Sequence, residues 1–195
     1  METHKIKTAE NSCNRITVGE GEIDLEGIYA VATGVAKVAL SSNPAFVKKI
    51  EHSRKLLMNA LENGVPVYGV TTGFGKSCSK RLSMKAALDN GDHLLRFHGC
   101  GTGEPFRIEE TRAAMLCRIL CLARGYSGIS LELLQQMVAF LNHGITPVVP
   151  CEGSVGASGD LTPMSYIAAC LNGQREVYYK GRKTKASSAL RDCGL

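Results

Sequence analysis

The sequence has no tryptophan, and with five Phe and six Tyr its aromatics reach only 6% of 195 residues. So few stacking rings, beside basic residues that are scattered and not gathered into a stripe, argue against a nucleic-acid partner. Nor is there a block of one charge. Although the net charge is +5, Lys48-Lys49-Ile50-Glu51-His52-Ser53-Arg54-Lys55 interleaves acid with base, the pattern of a solvated helix face. Long apolar runs are missing too: the longest, Tyr29 to Leu40, is broken by Thr33, Gly34 and Lys37, short of the roughly 18 residues a membrane span needs. No membrane association is expected. The eight cysteines include no Cys-x-x-Cys pair, and several sit inside helix-like apolar patterns, so buried free thiols are expected. His4, His52, His93, His98 and His143 show neither four-residue helical pairing nor Cys/His clustering, and no metal is expected. The segment Gly99-Cys100-Gly101-Thr102-Gly103 lacks the Lys-Ser/Thr ending of a phosphate loop, which removes the nucleotide reading. No Gly-x-Ser-x-Gly elbow is present to support a hydrolase triad. The polar start Met1-Glu2-Thr3-His4-Lys5 has no apolar secretory core, so a cytoplasmic location is expected.

What is present is enough apolar residue, 44%, for one domain, and its spacing is mainly helical. Residues 1–14 carry no periodicity and read as a flexible arm, followed by a short strand at Arg15-Ile16-Thr17-Val18. Asp24 is a cap for an apolar pattern running from Leu25 to Val38. Asn43-Pro44 opens a helix to Glu62 that Asn63-Gly64 closes. Further helices are predicted over 84–97, 109–124, 131–142 and 161–171, with a hairpin around Lys180-Gly181. A last short helix ends at Gly194, and Leu195 at the apolar position of its cap suggests that the native chain continues. Between the helices, Thr71-Thr72-Gly73-Phe74-Gly75-Lys76 is too rich in small residues for a regular element and reads as a loop.

The segment Gly153-Ser154-Val155-Gly156-Ala157-Ser158-Gly159-Asp160-Leu161-Thr162-Pro163 holds the sharpest chemistry. One reading is only a lead into a helix, with Asp160 as cap and Pro163 in the first turn. The other uses Ala157-Ser158-Gly159, where the unhindered amide nitrogen of Gly159 can fold back onto the carbonyl carbon of Ala157. Loss of one water closes a five-membered ring. Loss of a second from Ser158 leaves an exocyclic methylidene, an electrophile made from the chain itself.

This segment resembles the signature of the aromatic amino acid ammonia-lyases, the histidine, phenylalanine and tyrosine ammonia-lyase family. Tyr68-Gly69-Val70-Thr71-Thr72-Gly73-Phe74-Gly75 is similar to that family's Tyr-loop, and Leu94 to Glu104 to its substrate-selectivity segment, in the same order. The resemblance covers residues 15–195, which would form an N-terminal lyase domain of an L-aspartase/histidase-like helical fold: mainly α with a few short strands. The C-terminal helical half would lie outside this chain.

The resemblance implies that Ala157, Ser158 and Gly159 form a 4-methylidene-imidazol-5-one group, with no external cofactor, metal or nucleotide. It implies Tyr68 as the general base for the β-proton, Asp160 as an aid to ring closure, and Phe97, His98 and Gly75 as substrate-binding residues. A free phenol is too weak an acid for that task unless a positive potential favours its anion. Phe97-His98 stands where histidine lyases resemble Ser-His, tyrosine lyases His-Leu and phenylalanine lyases Phe-Leu, and it fits none of them cleanly. The implied reaction is elimination of ammonia from an aromatic L-amino acid to give an arylacrylate, by a homotetramer. Its alternatives are a 2,3-aminomutase using the same electrophile and a catalytically silent truncated module.

Overall fold

The computed structural model describes residues 15–156 and 159–195; the arm expected over 1–14 and the pair Ala157-Ser158 lie outside the described residues. The mainly helical expectation holds. In chain order the elements are β1 (Arg15–Val18), α1 (Leu25–Ala32), β2 (Lys37–Leu40), α2 (Pro44–Glu62), α3 (Met84–His98), β3 (Thr102–Pro105) and α4 (Ile108–Leu122). There follow α5 (Leu131–His143), β4 (Thr146–Pro147), β5 (Pro150–Glu152), α6 (Leu161–Leu171), β6 (Glu176–Tyr179), β7 (Arg182–Lys185) and α7 (Ala186–Cys193). The short strands make three small ladders: β1 with β2 in parallel, β3 with β5 antiparallel, and an antiparallel β4-β6-β7 sheet.

The capping chemistry is legible residue by residue. Asp24 Oδ1 accepts from the Gly27 amide at 2.8 Å, Asn43 caps α2 with Pro44 in its first turn, and Ser130 Oγ accepts from Leu133. Such side chains take up amides that the first turn of a helix leaves without partners. Gly144 ends α5 with φ of 67°, a left-handed conformation that costs glycine little.

The core sits between α4 and α5. Met115, Leu116 and Ile119 meet Leu134, Phe140 and Leu141, with Val31, Ile50 and Val177 closing the sides, all fully buried. One charge lies within it. The buried Arg112 guanidinium donates to the carbonyls of Val31 (2.7 Å), Ala32 (2.9 Å) and Leu141 (2.9 Å), which belong to the last turns of α1 and α5. A cation at two helix C-termini is well placed, since their free carbonyls carry partial negative charge. Burial pushes the Arg112 pKa below its ordinary value, and Glu109 opposes that shift.

Two expectations are corrected. The helix predicted from Leu25 to Val38 ends at Ala32, and Lys37–Leu40 is a strand. Gly34, at φ of 80°, turns the chain, and the Ala36 amide bonds back to the Ala30 carbonyl. Val38 then pairs with Ile16, and the Asn142 side chain bonds both its amide (2.9 Å) and its carbonyl (2.8 Å), so tertiary pairing outweighs helical periodicity. The thiols expected to be buried are mostly exposed: among the described cysteines only Cys170 is buried and Cys193 partly so. Cys117 and Cys121 lie on the outward stripe of α4 because Met115, Leu116 and Ile119 occupy the inward one.

Candidate active site

The Tyr68 loop is held shut by its own threonines. Thr71 Oγ1 accepts from the Val67 amide (2.8 Å), and the buried Thr72 accepts from Gly69 (3.1 Å) and donates to the Gly73 carbonyl (3.0 Å). Thr72 also bridges to Arg81, and the Leu82 amide reaches the Thr71 carbonyl, so the chain leaves where it came in. At Gly69 the φ is 74° and a Cβ would stand 2.9 Å from the Phe74 ring, so glycine is required there twice over. The Tyr68 ring meets Phe74 edge to face at 6.3 Å, and its hydroxyl oxygen accepts from the Gly75 amide at 3.2 Å. That bond uses an acceptor site of the phenol and leaves its proton uncommitted to Gly75.

Opposite stands the end of α3. Phe97 and His98 touch edge to face at 5.3 Å and, with Leu94, line a cleft of about 690 Å³ whose other wall is Gly73, Phe74, Ser77 and Leu82. Loop and helix end thus make one largely apolar cleft with His93, Arg96 and His98 in its wall; Tyr68 is not among its lining residues but packs on Phe74, which is. The cleft is open: Tyr68 is 66% and Phe97 79% exposed, so the described residues leave most of each side chain to water.

The β3–β5 ladder ties this region to the Ala-Ser-Gly segment. Thr102 pairs with Glu152, so the stretch leaving His98 and the stretch entering Gly153 run side by side. Gly153 has a φ of 146°, and a Cβ there would meet Thr162 Cγ2 at 2.6 Å and Gly101 Cα at 3.1 Å. Only a residue without a side chain passes between α6 and the turn after α3.

Gly159 and Asp160 then both take left-handed backbones, φ 65° and 61°. Asp160 stands at the N-cap position of α6 but its side chain caps nothing, which corrects the expected role: Oδ1 instead accepts from Ser154 Oγ at 2.9 Å, across the segment. The left-handed backbone turns the carboxylate away from the first-turn amides and toward Ser154. Tyr68 and Asp160 therefore bond to different partners, Gly75 and Ser154, and not to each other. Ala157 and Ser158 lie outside the described residues. Around them, the open space at the Cβ position of Gly159 and a carboxylate bonded across the segment fit a backbone cyclisation.

Sequence reasoning passed over Ser154, the partner of Asp160, and also Tyr166, whose hydroxyl donates to the carbonyls of Gly99 (3.2 Å) and Gly101 (3.4 Å) and so binds α6 to the end of α3. Ser154 was within reach of sequence reading, as a hydroxyl six residues from an Asp in a glycine-rich bend; Tyr166 looked like any helical aromatic.

The aromatic amino acid lyase family model matches residues 23–195, the stretch that carries all three segments. The chain belongs to this family. Among family members, the histidine ammonia-lyase of Myxococcus xanthus is 39% identical over 181 residues, which are 93% of this chain and 35% of that protein. A tyrosine 2,3-aminomutase of Chondromyces crocatus is also 39% identical, over 86% of this chain and 32% of its own length. In structure, the ergothionase of Treponema denticola superposes with a TM-score of 0.87 at 29% identity, over 93% of this chain and 36% of that one. The chain spans about a third of the length of each of these three proteins.

Proposed function

We propose that the protein to which these residues belong is an ammonia-lyase that removes ammonia from an aromatic L-amino acid, histidine, phenylalanine or tyrosine, and releases the arylacrylate. The observation that carries this reading is the cleft itself, with Gly73 and Phe74 of the Tyr68 loop on one wall and Phe97-His98 on the other, and with Tyr68 packed on Phe74 at its edge. An apolar wall accepts the substrate ring, and His98 offers a donor and an acceptor to an imidazole or phenol. Tyr68 is the base that takes the β-proton, and the Gly75 amide holds its oxygen in place for that transfer. Gly75 so serves the substrate through Tyr68.

Ala157, Ser158 and Gly159 would hold the methylidene-imidazolone, which when formed supplies an electrophile that makes the amine a better leaving group. Asp160 orients the segment for cyclisation through Ser154. Residues 15–195 act as one domain in this reading, and the open side of the cleft is covered by residues outside this chain and by other copies in a homotetramer. A cytoplasmic location agrees with the seven described cysteines, which are all free. No helix among the described residues is long and apolar enough to cross a membrane.

Tyr68→Phe in the complete protein tests the reading, because it keeps the ring against Phe74 and removes the acid–base group. Arylacrylate formation is expected to fall at least ~10²-fold with substrate affinity little changed. Unaltered turnover would return Tyr68 to a packing role. Analysis of the products separates elimination from a 2,3-aminomutase, which would return the amine to the β-carbon.

A further inference from the structure

Helix α3 packs along α6. None of its described side chains is buried, and in its last turn Arg96 and Phe97 are exposed. Yet that turn is gripped from one side by the bend that follows α6. Gln174 Nε2 donates to Asp92 Oδ1 at 3.4 Å, and three residues further on Arg175 donates to the Leu95 carbonyl at 3.4 Å. The Arg175 guanidinium carbon stands over the Tyr166 ring, 4.0 Å from its centre, while the Tyr166 hydroxyl holds the carbonyls of Gly99 and Gly101. A Cβ at Gly99 would overlap the guanidinium, so helix end and arginine fit only because residue 99 has no side chain.

The backbone at Arg175 adds a second, independent sign. Its φ is 62°, a left-handed conformation that a long side chain rarely takes and that a glycine would adopt freely. An arginine held in that conformation is offset by what its side chain does, and here the side chain stacks on one residue and bonds another.

We infer that Arg175 is a positioning residue: with Tyr166 it locks the C-terminal turn of α3 and thereby sets the pose of Phe97 and His98 in the substrate cleft. The inference rests on the proposed part of those two residues in choosing the substrate. Arg175 touches no substrate itself. It acts through the helix end, and the planar guanidinium is needed because the stack on Tyr166 and the bond to Leu95 are made at once.

Amide hydrogen exchange and the ring resonances of His98, both read by NMR on this 195-residue chain, test it without substrate. Arg175→Gly suits the left-handed backbone, so the fold is kept and the amides of α5 serve as the internal reference. The expected result is exchange about tenfold faster at Phe97, His98 and Gly99, with Met137 to Leu141 unchanged. The His98 ring signals shift as its contact with Phe97 averages, and Arg175→Lys, which keeps a charge but not the planar group, gives a smaller change. Two results overturn the inference: α3 amides and His98 signals that stay as in the wild type, or a loosening of α5 as large as that of α3, which would make Arg175 a general stabiliser. Because neither readout involves turnover, a failure of the selectivity reading would leave this result standing, and the reverse also holds.

Discussion

Asp160 and Arg175 are non-glycine residues at positive φ, and each side chain makes a bond outside its own turn, Asp160 across its segment to Ser154 and Arg175 to the distant end of α3. Neither geometry is written in local propensity, which favours Asp160 as an ordinary cap. At the cleft, Phe97→His combined with His98→Leu is expected to raise the ratio of tyrosine to histidine turnover in the complete protein. A donor then faces the phenol hydroxyl, while the imidazole of histidine loses its partner in an apolar wall. Competition assays on mixed substrates check this, and an unchanged ratio would assign the choice to other walls. Cys170 differs from the other thiols: burial pushes its pKa up to about 12 from the ordinary 9.0. The folded state holds this proton more tightly than the unfolded state, so its contribution is complete below pH 9 and is lost as pH rises toward 12. Urea titrations should show the stability of wild type relative to Cys170→Ala declining across that window, and a flat difference would mean that Cys170 is solvated. Exposed Cys117 and Cys121 should react with a thiol reagent at neutral pH, where Cys170 does not.

At the scale of elements, the helices with clear caps and one apolar stripe were legible: α2 and α5 begin and end where their caps and glycines put them. The boundary between α1 and β2 was not, because Val35 and Val38 suit a helical stripe as well as a strand, and only the β1 partner and the Asn142 side chain decide. Arg112 acts at the same scale, pinning the ends of α1 and α5 to α4. Arg112→Met keeps the length of the stem but leaves the carbonyls of Val31, Ala32 and Leu141 without their donors. A loss of about 3 kcal/mol is expected in denaturant unfolding. A loss under about 0.5 kcal/mol would mean that water replaces the guanidinium.

For the molecule as a whole, the cleft is a site with one side open. Tyr68 at 66% and Phe97 at 79% exposure cannot keep water from a reacting substrate, and binding without positioning yields little rate. This chain on its own is therefore expected to release no ammonia from aromatic amino acids, and Ala157 to Gly159 to remain an ordinary peptide for want of packing that compresses it. Mass spectrometry of the tryptic peptide carrying Ser158 checks the second point, since cyclisation makes it lighter by two waters. A peptide lighter by two waters, with steady ammonia release that Ser158→Ala abolishes, would show that residues 1–195 hold a complete site.

The sequence by itself determined the helical class, most helix boundaries, the looped character of 71–74, which leads into one 3-10 turn over Gly75–Ser77, and the three segments that identify the family. These rest on short-range chemistry: caps, glycine conformations, apolar spacing and residue types that cyclisation needs. Only the tertiary structure decided that the Tyr68 loop faces Phe97 and His98 across one cleft, that Gly153 slides between Thr162 and Gly101, and that Asp160 answers to Ser154. It also set Arg175 and Tyr166 on the end of α3, a contact between residues some 80 apart in the chain. Contacts at that separation depend on how helices pack and where strands pair, and a local pattern carries no record of either.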